Sequence, residues 1–270
     1  ELLLVACEAL LGSGDVAGAA DALAELTTDD DPRRAAWAEC FRGQVVTLTH
    51  PDGLSDAAVS VGEAAERLAD LGDAIGVAKA RQVRAGLLIR LGRVGEGEAE
   101  LERSLVAARQ SNDRRRTSAV LGAAPRAALW GPSPVARAGG RCLDIVRLVR
   151  IINSSPAVEA TSSRCQGVLE ALRGRFETAR RLVDDARLTC EELGLHQDLM
   201  ETELFAGIIE LIAGDPVEAE PHLRTANDGL GRLGIGADLG QATAHLARCA
   251  LLQGRVDEAE ELAVESLALA

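Results

Sequence analysis

Gly174-Arg175-Phe176-Glu177-Thr178-Ala179-Arg180-Arg181-Leu182 decides the fold, because versions of it return along the whole chain. Gly214-Asp215-Pro216-Val217-Glu218-Ala219 and Gly254-Arg255-Val256-Asp257-Glu258-Ala259-Glu260-Glu261-Leu262 repeat its plan at intervals of 40 residues. Towards the start, Gly131, Gly92, Gly53 and Gly14 continue the series at intervals of 43, 39, 39 and 39. Five residues after each glycine stands a small residue: Ala19, Ala58, Gly97, Ala136, Ala179, Ala219 and Ala259. A fixed period of this length is the mark of a stacked array in which each unit packs mainly on its neighbours.

Each period reads as two helices. Before Gly214, Leu204, Ile208, Leu211 and Ile212 recur at spacings of three and four, which puts them on one helical face. The glycine ends that helix by taking up a left-handed backbone without a β-carbon clash. Asp215-Pro216 then opens the next helix: Asp caps free N–H groups, Pro suits the first helical position, and Glu218 completes a capping-box spacing. Asp31-Pro32, Ser133-Pro134 and Ser155-Pro156 read the same way. A second punctuation, Leu71-Gly72-Asp73, Asn112-Asp113, Asn153, Leu193-Gly194 and Leu233-Gly234, closes each period.

The spacing predicts first helices over 2–12, 32–50, 73–91, 113–130, 156–173, 197–213 and 236–253. The second helices fall over 16–27, 54–71, 94–111, 134–152, 176–193, 216–233 and 256–270. The expected fold is all-α, a right-handed superhelical solenoid of about seven helix-turn-helix repeats of about 40 residues. It is read as a single domain over residues 1–270 and as a fragment of a longer multidomain protein, since Leu2-Leu3-Leu4-Val5 is not a polar end cap. Pro125 and Pro221 fall inside predicted helices and are expected to kink or stop them. Ala138-Gly139-Gly140 is expected to distort the fourth repeat.

Composition fits this reading. Hydrophobic residues make up 47% of the chain and aromatics only 2%, with no Tyr, so Ala and Leu must build the seams. No apolar run is long enough to span a bilayer, and the expected location is cytoplasmic. The six cysteines, at 7, 40, 142, 165, 190 and 249, include no Cys-x-x-Cys pair and read as buried thiols in a reducing compartment. The net charge of −13 disfavours direct nucleic-acid binding. Residues 101–190 nonetheless hold sixteen Arg against eight Asp and Glu, while Lys79 is the only Lys in the chain.

Catalytic and cofactor signatures are not found. No Gly-Lys-Ser or Gly-Lys-Thr phosphate loop, His-Glu-x-x-His pair or Gly-x-Ser-x-Gly elbow occurs. Gly234-Ile235-Gly236-Ala237-Asp238-Leu239-Gly240 has the wrong spacing for a dinucleotide fingerprint and follows a helix rather than a strand. His50, His196, His222 and His245 have no metal-ligand spacing, so no metal and no cofactor is expected. The segment reads as a non-enzyme.

Trp130-Gly131-Pro132-Ser133-Pro134-Val135, Arg173 to Gly194, Leu211-Ile212-Ala213-Gly214-Asp215-Pro216 and Gln253 to Ala259 together resemble the long form of the tetratricopeptide superfamily. More narrowly, they resemble the C-terminal arm of bacterial class III adenylate/guanylate cyclase-like proteins with an NTPase module. LuxR-type ATP-binding transcriptional regulators carry a similar arm. The resemblance implies a sensor and protein-interaction arm that binds its own N-terminal modules, another signalling protein or a small effector, and not a membrane. Polar residues on the first helices are the candidate groove-lining positions: Arg84, Arg90, Arg164, Gln166, Glu201, Glu203, Gln241 and His245. Arg114, Arg115 and Arg116 form a candidate docking patch.

Overall fold

A computed structural model describes residues 2–13, 15–26, 31–49, 51–151, 155–233 and 236–269. All regular structure among them is helical. The elements are α1 (Leu2–Ser13), α2 (Val16–Leu26), α3 (Pro32–Thr49), α4 (Leu54–Asp70), α5 (Ala74–Arg90), α6 (Val94–Gln110) and α7 (Arg114–Trp130). They continue with α8 (Val135–Ile151), α9 (Pro156–Ala171), α10 (Phe176–Leu193), α11 (His196–Ala213), α12 (Pro216–Leu233), α13 (Gly236–Leu252) and α14 (Val256–Leu269), and a 3₁₀ turn at Pro51–Gly53 precedes α4. The helices fall where the glycine period puts them.

The chain divides into two compact units, Glu1–Pro132 and Ser133–Ala270, with the boundary inside the predicted fourth hairpin. The first unit holds α1 to α7 and the second α8 to α14. Within the first, each second helix packs on its own first helix and on the next one, and α1, α3, α5 and α7 touch in succession. The second unit repeats this scheme, with α9, α11 and α13 as the successive first helices. This is the stacking of a tetratricopeptide-like repeat.

The turn glycines split into two classes. Gly92, Gly174, Gly214 and Gly254 have φ between 73° and 84°, as do the closing residues Gly72 and Gly194 at 68° and 65°, and Asn112 reaches 54°. Gly53 and Gly131 depart from the expected left-handed turn. Gly53 ends the 3₁₀ turn at φ −88°. Gly131 is extended, at φ −77° and ψ 174°, because the ring of Pro132 disfavours helical backbone in the residue before it. Gly14, Asn153 and Gly234 lie outside the described residues.

The Trp130–Pro134 segment also delays α8, which starts four residues after Gly131 where α10, α12 and α14 start two after theirs. The small-residue position on α8 is shifted by the same two residues. Ala136, expected to be packed, is exposed, and Ala138 and Gly139 are buried in its place. In the other hairpins the small residue is buried as expected. Neither Pro125 nor Pro221 stops its helix. Pro221 lies near the start of α12, where few carbonyls yet await a donor.

Aspartates cap the helices. Asp73 accepts from the Gly76 N–H at 2.9 Å, Asp113 from Arg116 at 3.0 Å and Asp215 from Glu218 at 3.1 Å. Ser155, expected as a cap, makes no side-chain cap bond. All six cysteines are buried free thiols. Burial pushes the Cys40 and Cys142 thiols up to about 12.

Candidate binding surfaces

In the first unit the four first helices converge on one polar and aromatic cluster. Trp37 and Phe41 stand one turn apart on α3, with ring centroids separated by 5.7 Å. The Arg116 guanidinium of α7 lies 5.3 Å from the Trp37 ring and reaches Glu8 of α1 at 3.2 Å. The Lys79 ammonium of α5 lies 5.7 Å from the Phe41 ring and donates to Gln44 of α3 at 2.7 Å. Trp37 donates its indole N–H to Asp73 at 2.9 Å, and Arg33 donates to the same carboxylate at 2.6 Å. Aromatic faces and cations attract in this geometry.

The cluster carries more positive than negative charge. Burial pushes the Lys79 ammonium down to about 8; the pull of Glu8 opposes this, and Arg116 and Arg115 add to it. Burial alone would raise the Asp73 carboxyl, but hydrogen bonds from Gly76, Trp37 and Arg33 outweigh it and hold the group below its ordinary value. Along α5 the face that starts at Lys79 continues through Gln82 and Gly86 to Arg90, which donates to the Thr47 carbonyl at 2.8 Å. A β-carbon built on Gly86 would meet open space. Arg114 and Arg115 are exposed at the start of α7.

The other sequence candidates are placed differently. Arg84 points away from this cluster, to the buried Glu100 of α6, which also accepts from Arg81 at 2.9 Å and Arg103 at 2.8 Å. In the second unit α11 has no solvent face over Glu201 to Leu211, and α9 is almost as enclosed. Arg164 is 1% exposed; it pairs with Glu201, and with Asp198 at 2.9 Å, and lies 5.9 Å from the Phe205 ring. Gln166 is buried and donates to Glu170 at 2.9 Å. Arg164, Gln166 and Glu201 thus tie helices together within the unit and line no open groove. Gln241 and His245 of α13 are half-buried. Burial, with Arg248 nearby, pushes the His245 imidazole down to about 4.

The second unit has a cavity of about 400 Å³ between α10, α11 and α12, floored by Val183, Ala206 and Ile209. Its walls are ion pairs. Arg180 grips Glu210 through two bonds of 2.8 Å, while Glu203 takes Arg187 at 2.5 Å and His222 Nδ1 at 2.7 Å. These pairs account for much of the basic middle of the sequence. Arg116, Arg164, Arg180 and Arg187 are matched by acids that lie outside residues 101–190.

Sequence reasoning missed Trp37, Phe41, Lys79 and Glu8 as site residues. The chain's only Lys and one of its two Trp were the available signals. Their meeting depends on contacts across three repeats, which periodicity alone does not encode. Among the described residues, no group of three His, Cys, Asp or Glu could hold a metal, and no helix is long and apolar enough to cross a membrane.

The tetratricopeptide repeat family matches residues 240–265. No curated protein matches the chain in sequence. Solved structures match it in fold. The apo form of RapI is 12% identical with a TM-score of 0.74, over 99% of this chain and 96% of that one. The Rap conjugation gene regulator of the plasmid pLS20, solved in complex with the Phr* peptide, is 11% identical with a TM-score of 0.72, over 99% and 72%. A Signal Transduction ATPase with Numerous Domains that carries a tetratricopeptide repeat sensor, from Pyrococcus horikoshii, is 10% identical with a TM-score of 0.65, over 98% and 41%. These are two Rap proteins and an ATPase, not cyclases or LuxR-type regulators, and what the chain shares with them is the tetratricopeptide-like helical-repeat fold.

Proposed function

We propose that this chain is a sensor arm of a bacterial signal-transduction protein, acting by binding and not by catalysis. Its ligand is an extended protein segment that carries carboxylates. The observation that supports this reading is the cluster of Trp37, Phe41, Lys79 and Arg116, assembled from the first helices of the first unit beside the exposed Arg114 and Arg115. A carboxylate arriving there would meet an excess of cations and flat aromatic surfaces. The peptide in the pLS20 regulator complex makes a peptide the natural ligand class to test. Binding would bias a neighbouring module only through different affinities for two states of the arm.

The parent protein we favour is an adenylate/guanylate cyclase-like ATP-binding protein with this segment as its C-terminal regulatory region, working in the cytoplasm. The ATPase with a tetratricopeptide repeat sensor supports an NTPase-bearing parent. The alternative is a LuxR-type ATP-binding regulator. Reading the flanking coding sequence separates them: cyclase and NTPase motifs upstream favour the first, a helix-turn-helix downstream the second. The binding itself is tested by selecting displayed random peptides on the chain. Selected peptides should be rich in Asp and Glu and bind Lys79→Met or Arg115→Glu variants about tenfold more weakly, as for loss of one charge-assisted contact. Selected peptides without acidic bias, or indifferent to both substitutions, would overturn the reading.

A further inference from the structure

The seams between successive hairpins follow a positional rule that is left open at two places. In each repeat, the residue thirteen after the turn glycine lies on the second helix. It meets the residue eleven before the next turn glycine, on the following first helix. Counted from Gly53 and Gly92 the pair is Glu66 with Arg81, at 2.8 Å. From Gly92 and Gly131 it is Leu105 with Val120, which share one apolar cluster. From Gly174 and Gly214 it is Arg187 with Glu203, at 2.5 Å, and from Gly214 and Gly254 it is Asn227 with Thr243, at 2.7 Å. In these four seams the partners match in kind: ion with ion, apolar with apolar, amide with hydroxyl.

The same count gives Leu267 on α14, thirteen after Gly254, and Leu3 on α1, eleven before Gly14. Both are exposed, Leu267 by 79%. Their neighbours follow suit. Leu2 and Val5 of α1 correspond to Thr202 and Phe205 of α11, which are buried in their seam, yet Leu2 is 88% exposed and Val5 is exposed as well. On α14, Val264 corresponds to Asp184 and Arg224 and is exposed, and Ala263, the counterpart of the buried Val183 and Leu223, is exposed too. Two open seam faces are therefore both apolar at matching register positions, and each is the complement that the rule would assign to the other.

We infer that α14 of one copy docks on α1 of a second copy, with Leu267 against Leu3, in the register of an internal seam. The contact joins two different surfaces, so it is heterologous and propagates head to tail. Apolar faces of this kind, where an array end would need polar residues for solubility, mark an interaction surface. This inference is independent of the peptide reading, which concerns the first helices of the first unit.

Sedimentation velocity over a concentration series of residues 1–270 tests it. The wild-type chain should form dimers and longer species as concentration rises. Leu267→Arg and Leu3→Glu each lie on exposed positions, where substitution leaves folding intact, as circular dichroism will check. Each should weaken association about tenfold or more, as truncation of a central interface residue does. An equimolar mixture of the two variants should regain association, because the guanidinium introduced on α14 then faces the carboxylate introduced on α1, as Arg187 faces Glu203. A wild-type chain that stays monomeric throughout would overturn the inference. So would association indifferent to both substitutions, or a mixture that behaves no better than either variant alone.

Discussion

Lys79 carries a cost that its neighbours do not remove. It is buried, and its partners are Gln44, an aromatic face and Glu8, set against two nearby arginines. Its folded-state value is about 8, against 10.5 in the unfolded chain. Below pH 8 both states hold the proton and the penalty is fully present. Between 8 and 10.5 the unfolded chain binds more protons, so stability rises with pH. The full penalty is on the order of 3 kcal/mol. Lys79→Met should therefore raise stability by about 1–3 kcal/mol at pH 7, with the gap over wild type shrinking as pH climbs past 8. Urea melts at pH 7, 8 and 9 measure this, and a destabilised Met variant at pH 7 would contradict it. A residue that lowers stability while completing the binding cluster is what a functional lysine looks like.

At the scale of a helix, α11 states the problem most plainly. Its enclosed stretch includes Glu201, Glu203 and Glu210, three carboxylates that only ion pairs make tolerable. Arg164→Met should cost about 3–5 kcal/mol in chemical denaturation, because Glu201 stays buried without its guanidinium. Adding Glu201→Leu should recover most of that loss, since two apolar side chains can replace a buried pair. A double variant no more stable than the single would mean that the arginine acts through packing alone. Helix positions and the turn glycines were legible in the sequence because both are local: Gly92, Gly174, Gly214 and Gly254 take the left-handed backbone that the spacing implies. Gly131 misled on conformation and Ala136 on register, since Pro132 and Pro134 stretch that turn. The groove assignments failed for a different reason. Polarity on a first helix was read as exposure, whereas Arg84, Arg164, Gln166 and Glu201 spend theirs on buried carboxylates and amides of neighbouring helices.

Across the whole molecule, stability in an array is a sum of hairpin and seam contributions, so it varies along the chain. The two extremes are on view. α11 is buried without a break from Glu201 to Leu211 and packs on α9, α10, α12 and α13. α14 packs on α13 alone, through a face that holds Ala259, and Ser266 donates to the Gly240 carbonyl at 2.9 Å. Opening α14 exposes one seam, while opening α11 breaks every seam around it. Hydrogen exchange followed by mass spectrometry should find α11 amides the slowest in the second unit and α14 amides the fastest of its helices. The difference should be at least about a hundredfold in protection, which corresponds to roughly 3 kcal/mol of local opening energy. Equal protection in the two helices would mean that the second unit opens as one cooperative body and not seam by seam. The head-to-tail contact adds a further expectation at this scale, because a second copy would supply α14 with its missing neighbour. Protection of α14 should then climb with protein concentration in the wild-type chain and stay flat in Leu267→Arg, while α11 responds in neither.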